Sequence, residues 1–175
     1  MRGLSMVMGN WAKKRESSRR GWLIGTASLA FAFVNASAQA DWQGAKWKMS
    51  QDDVRAAFKL PLRTPNPEER TTTRNTKWGE AVFVFDYKFR SFPFDGSLYF
   101  LNSKLEAIQL ASREPGACAS AMVALTESYG HADPIPYRKT WRDRQNTNAI
   151  AVFHLPSIGM CIVQYTVLDD GENSL

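Results

Sequence analysis

Between Glu80 and Phe89 the residues alternate, with Phe83, Phe85, Tyr87 and Phe89 on one side and Val82, Val84, Asp86 and Lys88 on the other. A period of two predicts a strand, with one face covered and the other wet at one end. Pro93-Phe94-Asp95-Gly96 reads as a turn, and Ser97–Leu101 and Leu105–Leu110 flank Asn102-Ser103-Lys104 as a tight hairpin. Further on, Tyr137–Gln145 and Thr147–Leu155 read as strands, Pro156-Ser157-Ile158-Gly159 as a turn, and Met160–Leu168 as a last strand with Cys161, Val163, Tyr165 and Val167 on one face.

Two segments carry the helical period. Met49-Ser50-Gln51-Asp52-Asp53-Val54 has a capping serine, an acid three residues later and an apolar staple. The helix it opens runs through about Lys59, before Pro61, with Val54, Ala57 and Phe58 on one face. After Glu114-Pro115-Gly116, residues Cys118, Met122, Leu125 and Tyr129 share a helix face, and Gly130 stops it. Residues 60–77, with Pro61, Pro65 and Pro67 and no apolar period, read as a long polar loop, and 169–175 as a loose tail. Consecutive strands joined by tight turns predict an α+β fold: an antiparallel sheet with two helices packed on one face, arranged as αβββ-αβββ halves near 47–111 and 117–168.

The charge balance divides the chain. The net +5 of the 175 residues lies wholly in residues 1–40, and residues 41–175 carry 16 basic and 16 acidic side chains. A basic stretch from Lys13 to Arg20, an apolar run from Trp22 to Val34 and small residues through Ala40 form the three parts of a secretory signal peptide. The apolar run of 13 residues is shorter than the roughly 20 a spanning helix needs. Cleavage is expected after Ala40, with Ala38 as a second register. Ser18-Arg19-Arg20-Gly21-Trp22-Leu23 matches the twin-arginine pattern with Trp in the aromatic place, while paired arginines also precede Sec leaders. The expected location is the periplasm, with no lipidated cysteine and no stable membrane anchor after cleavage. A neutral domain of residues 41–175 does not call for nucleic acid.

Cys118 and Cys161 are then read as one structural disulfide in an oxidising compartment. No G-x-G-x-x-G, Walker loop, G-x-S-x-G or H-E-x-x-H occurs. His131 meets the end of a helix dipole and His154 lies in an apolar strand as a half-buried side chain. Neither is assigned a catalytic role, and the carboxylate pairs Asp52-Asp53 and Glu68-Glu69 belong to a helix start and a loop. No cofactor and no metal are expected. The one local charge excess, Arg138, Lys139, Trp141, Arg142 and Arg144, is the candidate binding surface, where arginine and tryptophan side by side can seat a sugar, an anionic lipid or a protein. The plainer reading is an edge strand whose charges face water. Loop 60–77 is the other candidate.

Trp42-Gln43-Gly44-Ala45-Lys46-Trp47-Lys48-Met49-Ser50-Gln51-Asp52-Asp53-Val54, with its W-x-M-S-x-x-x-V pattern, resembles the opening of a group of small exported proteobacterial α+β proteins. Leu125-Thr126-Glu127-Ser128-Tyr129-Gly130, with Cys118 before it and Cys161 in a late strand, is similar to the same group. More distantly, the helix-then-hairpin halves resemble the small outer-membrane assembly lipoproteins and the tandem-domain β-lactamase inhibitor proteins. Those families have no catalytic residues to carry over. The expectation is a non-enzymatic module that binds a periplasmic protein or a small ligand. An inhibitor of an exported enzyme, or an enzyme acting on cell-wall or glycan substrates, is the alternative.

Overall fold

The computed structural model describes residues 42–135 and 138–169, all within the compact unit Ala36–Leu175. The expected signal peptide with its expected cleavage at Ala40, Tyr137 and the segment beyond Asp169 lie outside the described residues.

Seven strands form one antiparallel sheet: β1 (Phe83–Phe89), β2 (Phe92–Leu101), β3 (Lys104–Ser112), β4 (Asp133–Ile135), β5 (Arg138–Asp143), β6 (Asn148–Leu155) and β7 (Met160–Val167), in the order β1-β2-β3-β7-β6-β5-β4. The α-helices among the described residues are α1 (Gln51–Ala57), α2 (Pro67–Thr72) and α3 (Ala117–Tyr129), and a 3-10 turn lies at Pro156–Ile158. The fold class is the expected one. Two meanders meet where β3 pairs with β7. The first half carries a second helix and the second half a fourth strand, so the elements do not reduce to two αβββ copies.

Register sorts the side chains. Phe83, Leu98, Ile108, Tyr165, Ile150 and Trp141 are successive cross-strand partners and form one buried row across six strands. This front face is covered by α1, α3 and the stretch from Trp42 to Met49. Each fully buried Leu or Ile there contributes about 1.5–3 kcal/mol of burial free energy. Trp42 closes the cluster with ring contacts to Phe58, Phe85, Tyr87 and Tyr165 at 5.4–5.9 Å. Trp47 Nε1 donates to Asn148 Oδ1 at 2.9 Å inside it. Ser50 caps α1 through the full capping box with Asp53, and the helix stops at Ala57 because Phe58 turns extended and enters the core. In α3 the buried residues are Ala117, Cys118, Ala121 and Leu125, while Tyr129 is exposed, so small residues bring the helix close to the sheet. Cys118 in its first turn is bonded to Cys161 of β7, with Cα atoms 5.2 Å apart.

Three readings change. Pro93–Gly96 is strand, not turn: the chain reverses at Arg90-Ser91, where Arg90 takes a positive φ, and Phe89 pairs with Phe92. Pro93 lies beyond the last β2–β3 pair, Asp95–Ala111, so it removes no ladder bond on that side. Within 60–77, Asn66 caps α2 in a capping box with Glu69, and Pro67 occupies its first turn. Segment 133–135, read as loop, is a short strand against β5. The Asn102-Ser103 hairpin is as expected, both residues having positive φ between Leu101 and Lys104.

Candidate functional site

The back face of the sheet is where the two halves differ. Its rows, read from β2 to β5, are Tyr99-Ala107-Thr166-Ala149-Arg142, then Ser97-Gln109-Gln164-Ala151-Thr140, then Asp95-Ala111-Ile162-Phe153-Arg138. Segment 62–81 crosses the β1–β3 half. Arg63 bridges to Val84 on the edge of β1, Asn75 Nδ2 donates to Gln109 Oε1 at 3.5 Å, and Tyr99 Oη donates to the Thr73 carbonyl at 2.6 Å. Trp78, Ala81, Val84, Tyr99 and Ala107 form a second, smaller buried cluster beneath it. Burial pushes the Tyr99 hydroxyl up to about 12. The residues read as a loop are thus a cover, held together by α2. Glu69, placed by the cap, accepts from Arg63 and from the Asn66 amide, and both interactions draw its carboxyl down to about 2.

Among the described residues the β5–β7 half has no such cover. Beside Trp78 lies an open groove of about 280 Å³ whose floor is Ala149 and Ala151 and whose rim carries Lys77, Arg138 and Arg142. The alanines leave it shallow but wide; Thr140, Gln164 and Thr166 offer hydroxyls and an amide along it, and Phe153 and Ile135 an apolar side. Asp169 also lines the groove. Neither Arg138 nor Arg142 makes a side-chain hydrogen bond or ion pair among the described residues, whose ion pairs are Lys48–Glu106, Arg63–Glu69 and Arg90–Glu127. The Arg138 Nε is buried and has no hydrogen-bond partner.

The cluster singled out in the sequence is divided by the strand period. Arg138 and Arg142 share the back face with Thr140, whereas Trp141 points the other way and is 2% exposed, its Nε1 donating to the Gly130 carbonyl at 3.0 Å. Trp141 is therefore core and cannot stack on a ligand, a correction to the expected interleaved surface. Lys139 and Arg144 are exposed but do not line the groove, the first alternating away from it and the second standing in the turn after β5. The plain edge-strand reading also changes, because β4 covers Arg138–Thr140. Lys77 and Trp78 were missed, although Trp78 closes a polar segment where an aromatic has to be buried against something.

His131 and His154 are both exposed, and for His154 this corrects the half-buried reading. Among the described residues no three His, Cys, Asp or Glu side chains gather to hold a metal ion, and no helix is long and apolar enough to cross a membrane. No family model, curated protein or solved structure matches the chain.

Proposed function

We propose that the chain is an exported protein that binds its target without transforming it, through the open β5–β7 half of the back face. A solvated outer face is ordinary for an antiparallel sheet. The observation that carries this reading is Arg138, whose Nε is taken out of water without a partner on the one half of the face that segment 62–81 leaves open. Buried polar groups are otherwise paired in nearly every case, because an unmade bond there costs about 1–3 kcal/mol. A target bound in the groove supplies the missing acceptor once the Arg138 side chain turns its Nε toward it. The export part rests on the tripartite leader, and the Cys118–Cys161 bond is of the kind an oxidising compartment preserves.

Native mass spectrometry on the full gene product, recovered from cell fractions of a bacterial host, tests both parts. The reading expects a periplasmic species that begins after Ala38 or Ala40, is two hydrogens light, and carries a bound mass that Ala151→Phe removes by filling the groove floor. A leader retained on the recovered protein contradicts export. A bound mass that Ala151→Phe leaves in place contradicts the proposed surface.

A further inference from the structure

The groove's chemistry narrows what it takes, given that the open face is a binding surface at all. Arg138 and Arg142 stand on one face of β5 with Thr140 between them. Four residues of strand place their Cα atoms about 13 Å apart, and both side chains are long enough to bend toward the Thr140 hydroxyl. Among the described residues neither side chain has a hydrogen-bond or ion-pair partner. Lys77 adds a third cation on the facing wall, its Nζ 5.4 Å from the Trp78 ring centroid. The rim thus carries three cations, with Asp169 the one acid in the lining. A planar guanidinium presents paired N–H donors that match two oxygens of a carboxylate or phosphate, and such charge-assisted bonds are roughly twice as strong as neutral ones.

The body of the ligand is limited by the floor. From Thr166 through Ala149 to Arg142 the groove crosses two strand spacings, about 10 Å. Only methyl groups rise from its middle, with Phe153 and Trp78 supplying apolar contact and Gln164 and Thr166 polar contact. That width and a volume of about 280 Å³, near the low end of ligand pockets, fit a single six-membered ring. We propose that the groove is a binding site for a small oxyanion-bearing molecule with a single-ring body, its anionic group held by Arg138 and Arg142 over Thr140 and its ring lying on Ala149 and Ala151.

The test uses three defined probes on the full chain at 0.15 M salt, where loose surface attraction is screened. Phenyl phosphate and benzoate present the two head groups on one ring, and benzyl alcohol is the neutral counterpart. Calorimetric titration, with amide chemical-shift mapping, should show saturable one-to-one binding of at least one anion. The shifts should centre on Thr140, Ala149 and Ala151, with benzyl alcohol at least tenfold weaker. The stronger anion identifies the head group. Arg138→Gln, at a half-buried position, and Arg142→Gln, at an exposed one, each checked for an intact fold by circular dichroism, should weaken binding at least tenfold, and Ala151→Phe should abolish it. Lys139→Gln and Arg144→Gln should change it less than twofold. Absence of saturable binding for both anions, shifts centred elsewhere, or equal weakening by Lys139→Gln overturns the proposal. Failure with these probes alongside a bound mass that Ala151→Phe removes would overturn the ligand class and leave the binding face standing.

Discussion

Replacing Gly96 by alanine probes the packing of the front face at one atom. Gly96 pairs with Phe85, and a Cβ on it would stand 2.3 Å from two ring carbons of Phe85 and 2.6 Å from a third. The ring would have to withdraw by more than about 1 Å to reach ordinary contact. It has nowhere to go: Phe85 is 2% exposed, with Phe58 edge-on at 5.0 Å and Trp42 at 5.7 Å between ring centroids. The φ of Gly96 is not positive, so alanine is free to adopt the backbone and the effect is steric. Overpacking costs about 1–3 kcal/mol, against about 0.5–1 kcal/mol regained by removing a flexible glycine from a strand. The expected outcome is a net loss of about 1–2 kcal/mol, or roughly 4–8 °C in Tm at this size. Urea unfolding of wild type, Gly96→Ala, Phe85→Leu and the double variant measures the coupling. With the ring gone, Gly96→Ala should cost at least about 1 kcal/mol less than it does alone. Additive losses, or a stabilising Gly96→Ala in the wild-type background, would refute the packing argument.

Three further outcomes follow from the same structure. Cys118→Ala with Cys161→Ala, or reductant on the wild type, opens a loop of sequence separation 43 and should lower stability by about 4 kcal/mol in the chain-entropy estimate; an unchanged urea midpoint would show that the bond does not form. Glu69 has its folded pKa drawn below 4.5 to about 2, so its contribution is full above pH 4.5 and is lost as pH falls toward 2. Glu69→Gln should accordingly flatten the wild-type loss of stability in that window, and identical acid limbs would contradict the Arg63–Glu69–Asn66 arrangement. Tyr99→Phe removes the bond to the Thr73 carbonyl, costs about 1 kcal/mol, and should speed amide exchange in 62–79 more than in α3; because the Tyr99 pKa is raised from 10 to about 12, its stabilisation holds below pH 10 and fades through that interval, a fade the variant should lack.

Much of the fold is written in short-range pattern. Ser50 with Asp53, Asn102-Ser103 and the alternation of 83–89 each specify a local geometry that tertiary contacts reinforce. Where the sequence misled, a local signal met a long-range partner. Pro93-Phe94-Asp95-Gly96 has turn chemistry, yet Gly96 is small because Phe85 lies against it from the neighbouring strand. The reverse error befell 60–77: Asn66-Pro67 with Glu69 is a capping box with proline in the first turn, legible in itself, but no apolar period accompanies it because α2 buries no residue. The binding surface was half legible. A strand through Arg138–Asp143 already implies that Trp141 faces away from Arg138 and Arg142. What no local pattern reveals is that β6 and β7 bring Ala149, Ala151, Gln164 and Thr166 beside them, or that Trp78 of the covering segment borders the groove.

Segment 62–81 covers the back face around Val84, Ser97, Tyr99 and Ala107, and among the described residues nothing comparable covers Ala149 and Ala151 over β5–β7. Relaxation of alanine methyl protons by a neutral gadolinium chelate measures this directly, since Ala107, Ala149 and Ala151 lie on that one face. Strong relaxation at Ala149 and Ala151 with protection at Ala107 is the predicted result, and a bound target should protect the first two as well. Equal relaxation at all three, or protection of Ala149 and Ala151 in the free protein, would contradict it.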